Sequence, residues 1–118
     1  MKYQAAGNYL RAHRKKSGLS QRDVGKLMGY KDPGQISRHE RGTTNPPLAA
    51  ALAYEMIFRA PVASIFAGTR DSVARDVEMK LKEMGAAMGS RSAHNRNANL
   101  VAQKLSWVSE RHKARPTN

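Results

Sequence analysis

The 118-residue chain has no cysteine, which excludes a disulfide framework and any zinc or iron site built on thiolates. Aromatic residues are sparse, at one Trp, four Tyr and two Phe, and no stacking platform of the kind used to bind single-stranded RNA accompanies the basic residues. Acidic residues are few: nine Asp and Glu stand against 21 Lys and Arg, for a formal charge of +12. That balance calls for a polyanionic partner, nucleic acid first, although ribosome-associated chains and membrane-surface binders share it. Long hydrophobic runs are missing too. The longest, Leu48 to Phe58, is 11 residues with Glu55 inside it, far short of the roughly 20 needed to cross a bilayer. The opening MKYQAAGNYLRAHRKK has no apolar stretch of signal-peptide type. No membrane association and a cytoplasmic location are therefore expected, with room for one compact domain and an appendage.

What the chain does have is helix punctuation. The alternating Val/Ile/Thr patterns of strands are absent, so the fold class expected is all-α. A first helix, about Gln4 to Ser17, ends at Gly18. Ser20 is an N-cap with Asp23 as its capping-box partner, and Val24, Leu27 and Met28 follow at helical spacing before Gly29. After Tyr30 and Lys31, Asp32 offers another N-cap, Pro33 takes the first helical position and Gln35 the capping-box place. That third helix runs to about Arg41 and closes at Gly42. Asn45 and Pro46 open a fourth, with Leu48, Ala51, Leu52 and Phe58 on one face. Pro61 breaks it, and Val62, Ile65 and Phe66 form a short fifth helix that lids the core.

The motifs Leu19-Ser20-Gln21, Ile36-Ser37-Arg38 and Glu40-Arg41-Gly42 resemble, in order and near-standard spacing, those of the Cro and phage-repressor (XRE-like) helix-turn-helix family. The resemblance covers about Leu10 to Phe66. It implies a five-helix DNA-binding domain over residues 1–67, with a helical extension over 68–118. Two features depart from the family pattern: the turn Tyr30-Lys31-Asp32-Pro33 is one residue longer than usual, and His39 stands where an apolar residue is normal. A lone histidine without convergent partners reads as a partly buried structural residue. The resemblance further implies an ion pair between Arg14 of the first helix and Glu40 of the third, and a backbone-clamping role for Gln21.

On a helix from Pro33 to Arg41, Ile36 and Glu40 share a core-facing stripe, while Gly34, Ser37, Arg38 and Arg41 share the opposite one. In the docking mode the family uses, that second face enters the major groove. Arg38 is the first choice for base readout, since its fork matches guanine O6 and N7. Gln35 either pairs with adenine or turns back to cap Asp32. Ser37 reaches base or phosphate, and Gly34 admits a close backbone approach. Phosphate contacts are expected from Gln21, Arg22, Lys31, Arg41, Thr43, Thr44 and Asn45, with Lys26 extending the rim.

Beyond Phe66, a linker at Ala67-Gly68-Thr69 is expected to lead into a helix with the stripe Val73, Val77, Leu81 and Met84. Residues 85–97, rich in Gly, Ser, Ala and Asn, read as a loop before a last helix bearing Leu100, Val101, Leu105, Trp107 and Val108. Trp107 requires burial. Three arrangements would provide it: folding back on the first domain, a homodimer interface, or a protein partner held by residues 70–113. Residues 67–89 are balanced at four basic and four acidic side chains, whereas 90–118 carry six and one, ending in a basic tail. The four histidines, His13, His39, His94 and His112, lack metal-ligand spacing, and there is no nucleophile elbow or phosphate-binding glycine loop. No catalytic residue, metal or cofactor is expected. The leading expectation is a homodimeric transcriptional repressor reading an inverted-repeat operator in double-stranded DNA. The alternative is an antitoxin-like protein whose C-terminal helices bind a partner.

Overall fold

The computed structural model describes residues 7–91 and 98–113, in which every regular element is an α-helix. In chain order these are α1 (Leu10–Lys16), α2 (Gln21–Met28), α3 (Gly34–Arg41), α4 (Leu48–Phe58), α5 (Val62–Ile65), α6 (Ala67–Arg91) and α7 (Ala98–Lys113). The chain divides into two compact units, Met1–Val73 and Ala74–Asn118.

The first unit closes around Leu10, Val24, Ile36, Tyr54, Ile65 and Phe66, one side chain from each of α1 to α5 and the residue after α5. Leu19, Met28, Tyr30, Phe58 and Val62 pack against that cluster. Local chemistry sets the boundaries of α2 and α3. The Ser20 hydroxyl accepts from Asp23 N–H at 3.0 Å, and the Asp23 carboxylate accepts from Ser20 N–H at 3.0 Å, closing a reciprocal capping box. Gly29 (φ 77°) and Gly42 (φ 71°) end the two helices in the left-handed region that glycine enters without steric cost.

Several expectations from the sequence are corrected. Gly7, Asn8 and Tyr9 lie outside α1, which starts at Leu10; residues 1–6 lie outside the described residues. One local and two long-range bonds hold this segment out of the helix. Asn8 Oδ1 accepts from Leu10 N–H at 2.9 Å, its Nδ2 donates to His39 O at 2.8 Å, and Tyr9 N–H donates to Ile65 O at 2.9 Å. α4 starts at Leu48, with Pro47 as its extended N-cap at ψ 163°; Asn45 and Pro46 each precede a proline, which pushes them out of the α region and keeps them from opening the helix. The inward face of α4 is also different. Leu48 and Leu52 are 76% and 49% exposed, and the buried stripe runs through Ala50, Ala51 and Tyr54. Tyr54 can occupy the core because its hydroxyl finds a partner there.

In place of a linker after Phe66, α6 begins at once with Ala67, and it continues through Gly85 to Arg91, where a loop was expected. Ala86, Ala87 and Met88 are strong helix formers. Gly85 also has a packing reason: a Cβ there would already touch Val108 Cγ1 at 3.4 Å, so α7 lies against it. The rest of the expected loop, residues 92–97, lies outside the described residues. In this second unit Val108 is buried, but Trp107 is 48% exposed, contrary to the burial expected of it. Its ring carries the Arg111 guanidinium at 4.9 Å. Met84, Met88, Val101, Trp107 and Val108 line an open apolar groove of about 510 Å³. The expected stripe on α6 is half solvated: Val77 and Met84 are 39% and 50% exposed, while Val73 and Leu81 are half-buried.

Candidate nucleic-acid interface

α2 and α3 are joined by Gly29 to Pro33, and α3 is sealed on its inner side by Ile36 and His39. Its outer side carries Gly34, Ser37 and Arg38, each half-buried, and Arg41, which is exposed. This is the division of faces the sequence implies, with one refinement. Glu40, although on the inner side, anchors a polar junction of three helices.

At that junction Arg14 of α1 donates from Nε to Glu40 Oε2 and from Nη2 to Oε1 at 3.2 Å. Gln21 Nε2, at the first position of α2, donates to the same Oε1 at 3.2 Å. The remaining Arg14 arm, Nη1, donates to Leu19 O at 3.0 Å. The Arg14 and Glu40 side chains are 12% and 3% exposed, so this is a buried, bidentate pair. The junction floors a cleft of about 340 Å³ lined by Arg11, Arg14, Gln21, Ser37, Glu40 and Arg41. Arg11 was not singled out from the sequence. Its position three residues before Arg14, one helical turn away, is the signal that would have found it.

His39 is more deeply buried than the sequence suggests, at 2% exposure, and its Nδ1 shares a 2.7 Å hydrogen bond with Tyr54 Oη. The two rings meet edge to face at 5.7 Å, and Tyr30 also lies edge-on to the imidazole at 6.1 Å. Burial, and then the positive charge of Arg38, push the imidazole below its ordinary pKa. Burial likewise raises the Tyr54 hydroxyl, assisted by Tyr30 and Glu40. The histidine is thus a neutral core residue that fastens α3 to α4. Hydrogen bonds from the Ser20 N–H and hydroxyl hold the Asp23 carboxyl below its usual range. Among the described residues, no three His, Asp or Glu side chains come together as a metal site, and no helix is long and apolar enough to cross a membrane.

The other candidate side chains fall into different situations. Arg38, 39% exposed, leans toward Asp32, whose Oδ2 lies 3.8 Å from its Nη2. Asp32 Oδ1 accepts from Gly34 N–H at 2.9 Å, so Asp32 supplies the turn that starts α3. Gln35 is not the second half of a capping box, since its side chain makes no hydrogen bond to Asp32. Arg41 Nε folds back to Ser37 O at 3.4 Å. The Thr43 hydroxyl donates to Arg38 O at 3.1 Å and so closes α3. Arg22, Lys26, Lys31, Thr44 and Asn45 are exposed.

A protein-family model described as a helix-turn-helix domain matches residues 5–63 of the chain. Comparison with the curated proteins and with the solved structures finds no match.

Proposed function

Because the chain belongs to the helix-turn-helix domain family over residues 5–63, we propose that it is a sequence-specific regulator that places α3 in the major groove of double-stranded DNA. The observation that carries this reading is the outer face of α3. Ser37, Arg38 and Arg41 lie there on a helix whose opposite side is locked into the core. The N-terminal half of such a helix meets base edges. Arg38 reads guanine, Gln35 is free of the capping role and available to adenine, and Ser37 contacts base or phosphate. Gln21 has one amide proton engaged by Glu40 and the other available to a phosphate at the start of α2. Arg11, Arg22, Lys31, Arg41, Thr44 and Asn45 neutralise or bond flanking phosphates. Thr43 contributes there only by its backbone or by giving up its bond to Arg38 O. The regulator acts in the cytoplasm as a homodimer on an inverted repeat, and occluding a promoter makes it a repressor.

Selection of bound duplexes from a random library at near-physiological salt, on the unaltered chain and on Arg38→Ala, tests this. An enriched inverted repeat that loses definition at one position in the variant is the expected result. No enrichment with either chain would reduce binding to charge attraction and refute sequence reading. Removing a phosphate contact, as in Arg41→Ala, should lower the slope of log affinity against log salt by about one while leaving base preference intact.

One observation favours a second role, the antitoxin-like one. The groove beside the half-exposed Trp107 is apolar and open, and a partner helix laid into it would complete the burial that the tryptophan lacks. Co-purification from the native source distinguishes the readings: a solitary symmetric dimer is the outcome that rejects an obligate protein partner.

A further inference from the structure

Three polar atoms, two of the Asp32 carboxylate and one of the Arg38 guanidinium, converge on the place a Cβ of Gly34 would take at the start of α3. Asp32 Oδ1 accepts from Gly34 N–H at 2.9 Å, which fixes the carboxylate across the first turn. Its Oδ2 then lies 3.8 Å from Arg38 Nη2. A Cβ on Gly34 would meet Asp32 Oδ2 at 2.9 Å, Asp32 Oδ1 at 3.1 Å and Arg38 Nη1 at 3.3 Å. Carboxylate and guanidinium therefore meet over a position that has no side chain. We propose that Asp32 is a positioning residue for base readout: it holds the Arg38 guanidinium over Gly34 in the orientation a guanine edge accepts. Gly34 is then the gap that lets the two groups meet, and not itself a base contact.

This inference rests on the reading of α3 as the groove helix. An ion pair as exposed as this one, with side chains 39% and 69% accessible, contributes little to stability. Its consequence lies in binding. An arginine already restrained toward its target loses less freedom on docking. The carboxylate also repels any backbone phosphate that approaches Arg38, so contacts to unrelated sequence are penalised while a guanine edge is not. Removing the charge should consequently move specific and unspecific binding in opposite directions, which a purely structural role would not do.

The experiment uses the full chain and the sequence selected above, with a partner duplex altered at the one base pair that Arg38→Ala identifies. A bidentate arginine contact discriminates such a pair by about 5- to 150-fold. Asp32→Asn keeps an acceptor for Gly34 N–H and removes only the charge. It should reduce that discrimination at least about threefold while affinity for unrelated duplex rises. Gly34→Ala should reduce it similarly, because the new methyl displaces the carboxylate; alanine favours helix, so misfolding is not the cause. Circular dichroism checks that both variants keep their helix content. Undiminished discrimination in both variants, with Arg38→Ala still impaired, overturns the proposal and leaves base reading by Arg38 standing. Absence of any selected sequence with the unaltered chain instead overturns the groove-helix reading, and the proposal with it.

Discussion

Replacing Glu40 with glutamine should destabilise the first unit severely. The carboxylate is 3% exposed and takes three hydrogen bonds, two from Arg14 and one from Gln21. Glutamine offers one oxygen where these donors require two, turns an NH2 group toward another donor, and leaves the Arg14 charge without a counterion. Breaking a buried pair in this way costs roughly 3–5 kcal/mol. Arg14 keeps its bond to Leu19 O and some contact with water, which sets the expectation at the lower end, about 3 kcal/mol. For a unit of this size, ~1 kcal/mol moves the melting temperature by about 4–8 °C, so Glu40→Gln should melt about 12–24 °C lower. Thermal unfolding followed by circular dichroism measures this, with urea unfolding as a second determination. The double variant Arg14→Met, Glu40→Leu should recover most of the loss, because an apolar pair leaves no uncompensated charge. A shift below about 4 °C for Glu40→Gln would refute the reasoning, since it would mean that water already solvates the pair.

Two further outcomes are expected. His39 is held neutral by burial, so its folded pKa lies below the unfolded value near 6.5. The unfolded chain then binds the proton first, and stability should be level above about pH 6.5 and fall as the pH drops toward 5, before the carboxylates titrate. Urea midpoints across that window test this, and a profile as steep in His39→Gln would assign the effect to another group. Arg59, the C-cap of α4, is the only non-glycine with positive φ among the described residues, at 51°. Arg59→Gly should relieve that strain and stabilise the fold by about 0.5–1 kcal/mol, less whatever the glycine gains in unfolded freedom. A lower melting temperature would show instead that the arginine side chain outweighs its backbone cost.

The parts of this protein that were legible in the sequence depend on neighbours within about one helical turn. Ser20 with Asp23, Gly29 and Gly42 fix the limits of α2 and α3 through bonds and dihedrals that lie inside each motif. The two faces of α3 follow from helical spacing, and the Arg14–Glu40 pair was implied by the family resemblance carried on neighbouring motifs. Gly85 shows where local reading fails. As a glycine in a small-residue segment it signals a loop, whereas in the fold it is the flat spot on α6 against which Val108 packs.

By itself, then, the sequence determined an all-helical chain, the helix-turn-helix, its basic character and the residues on the outward side of α3, because periodicity, capping and charge act locally. Tertiary structure decided the rest. It stopped α1 at Leu10 by binding Asn8 to His39 and Tyr9 to Ile65, and it buried Tyr54 by giving its hydroxyl a histidine 15 residues away. It turned Gln21 inward to Glu40 and set Asp32 beside Arg38 over an empty Cβ position. Each of these depends on which distant atoms satisfy a polar group once water is excluded, and only the folded chain brings those atoms within reach.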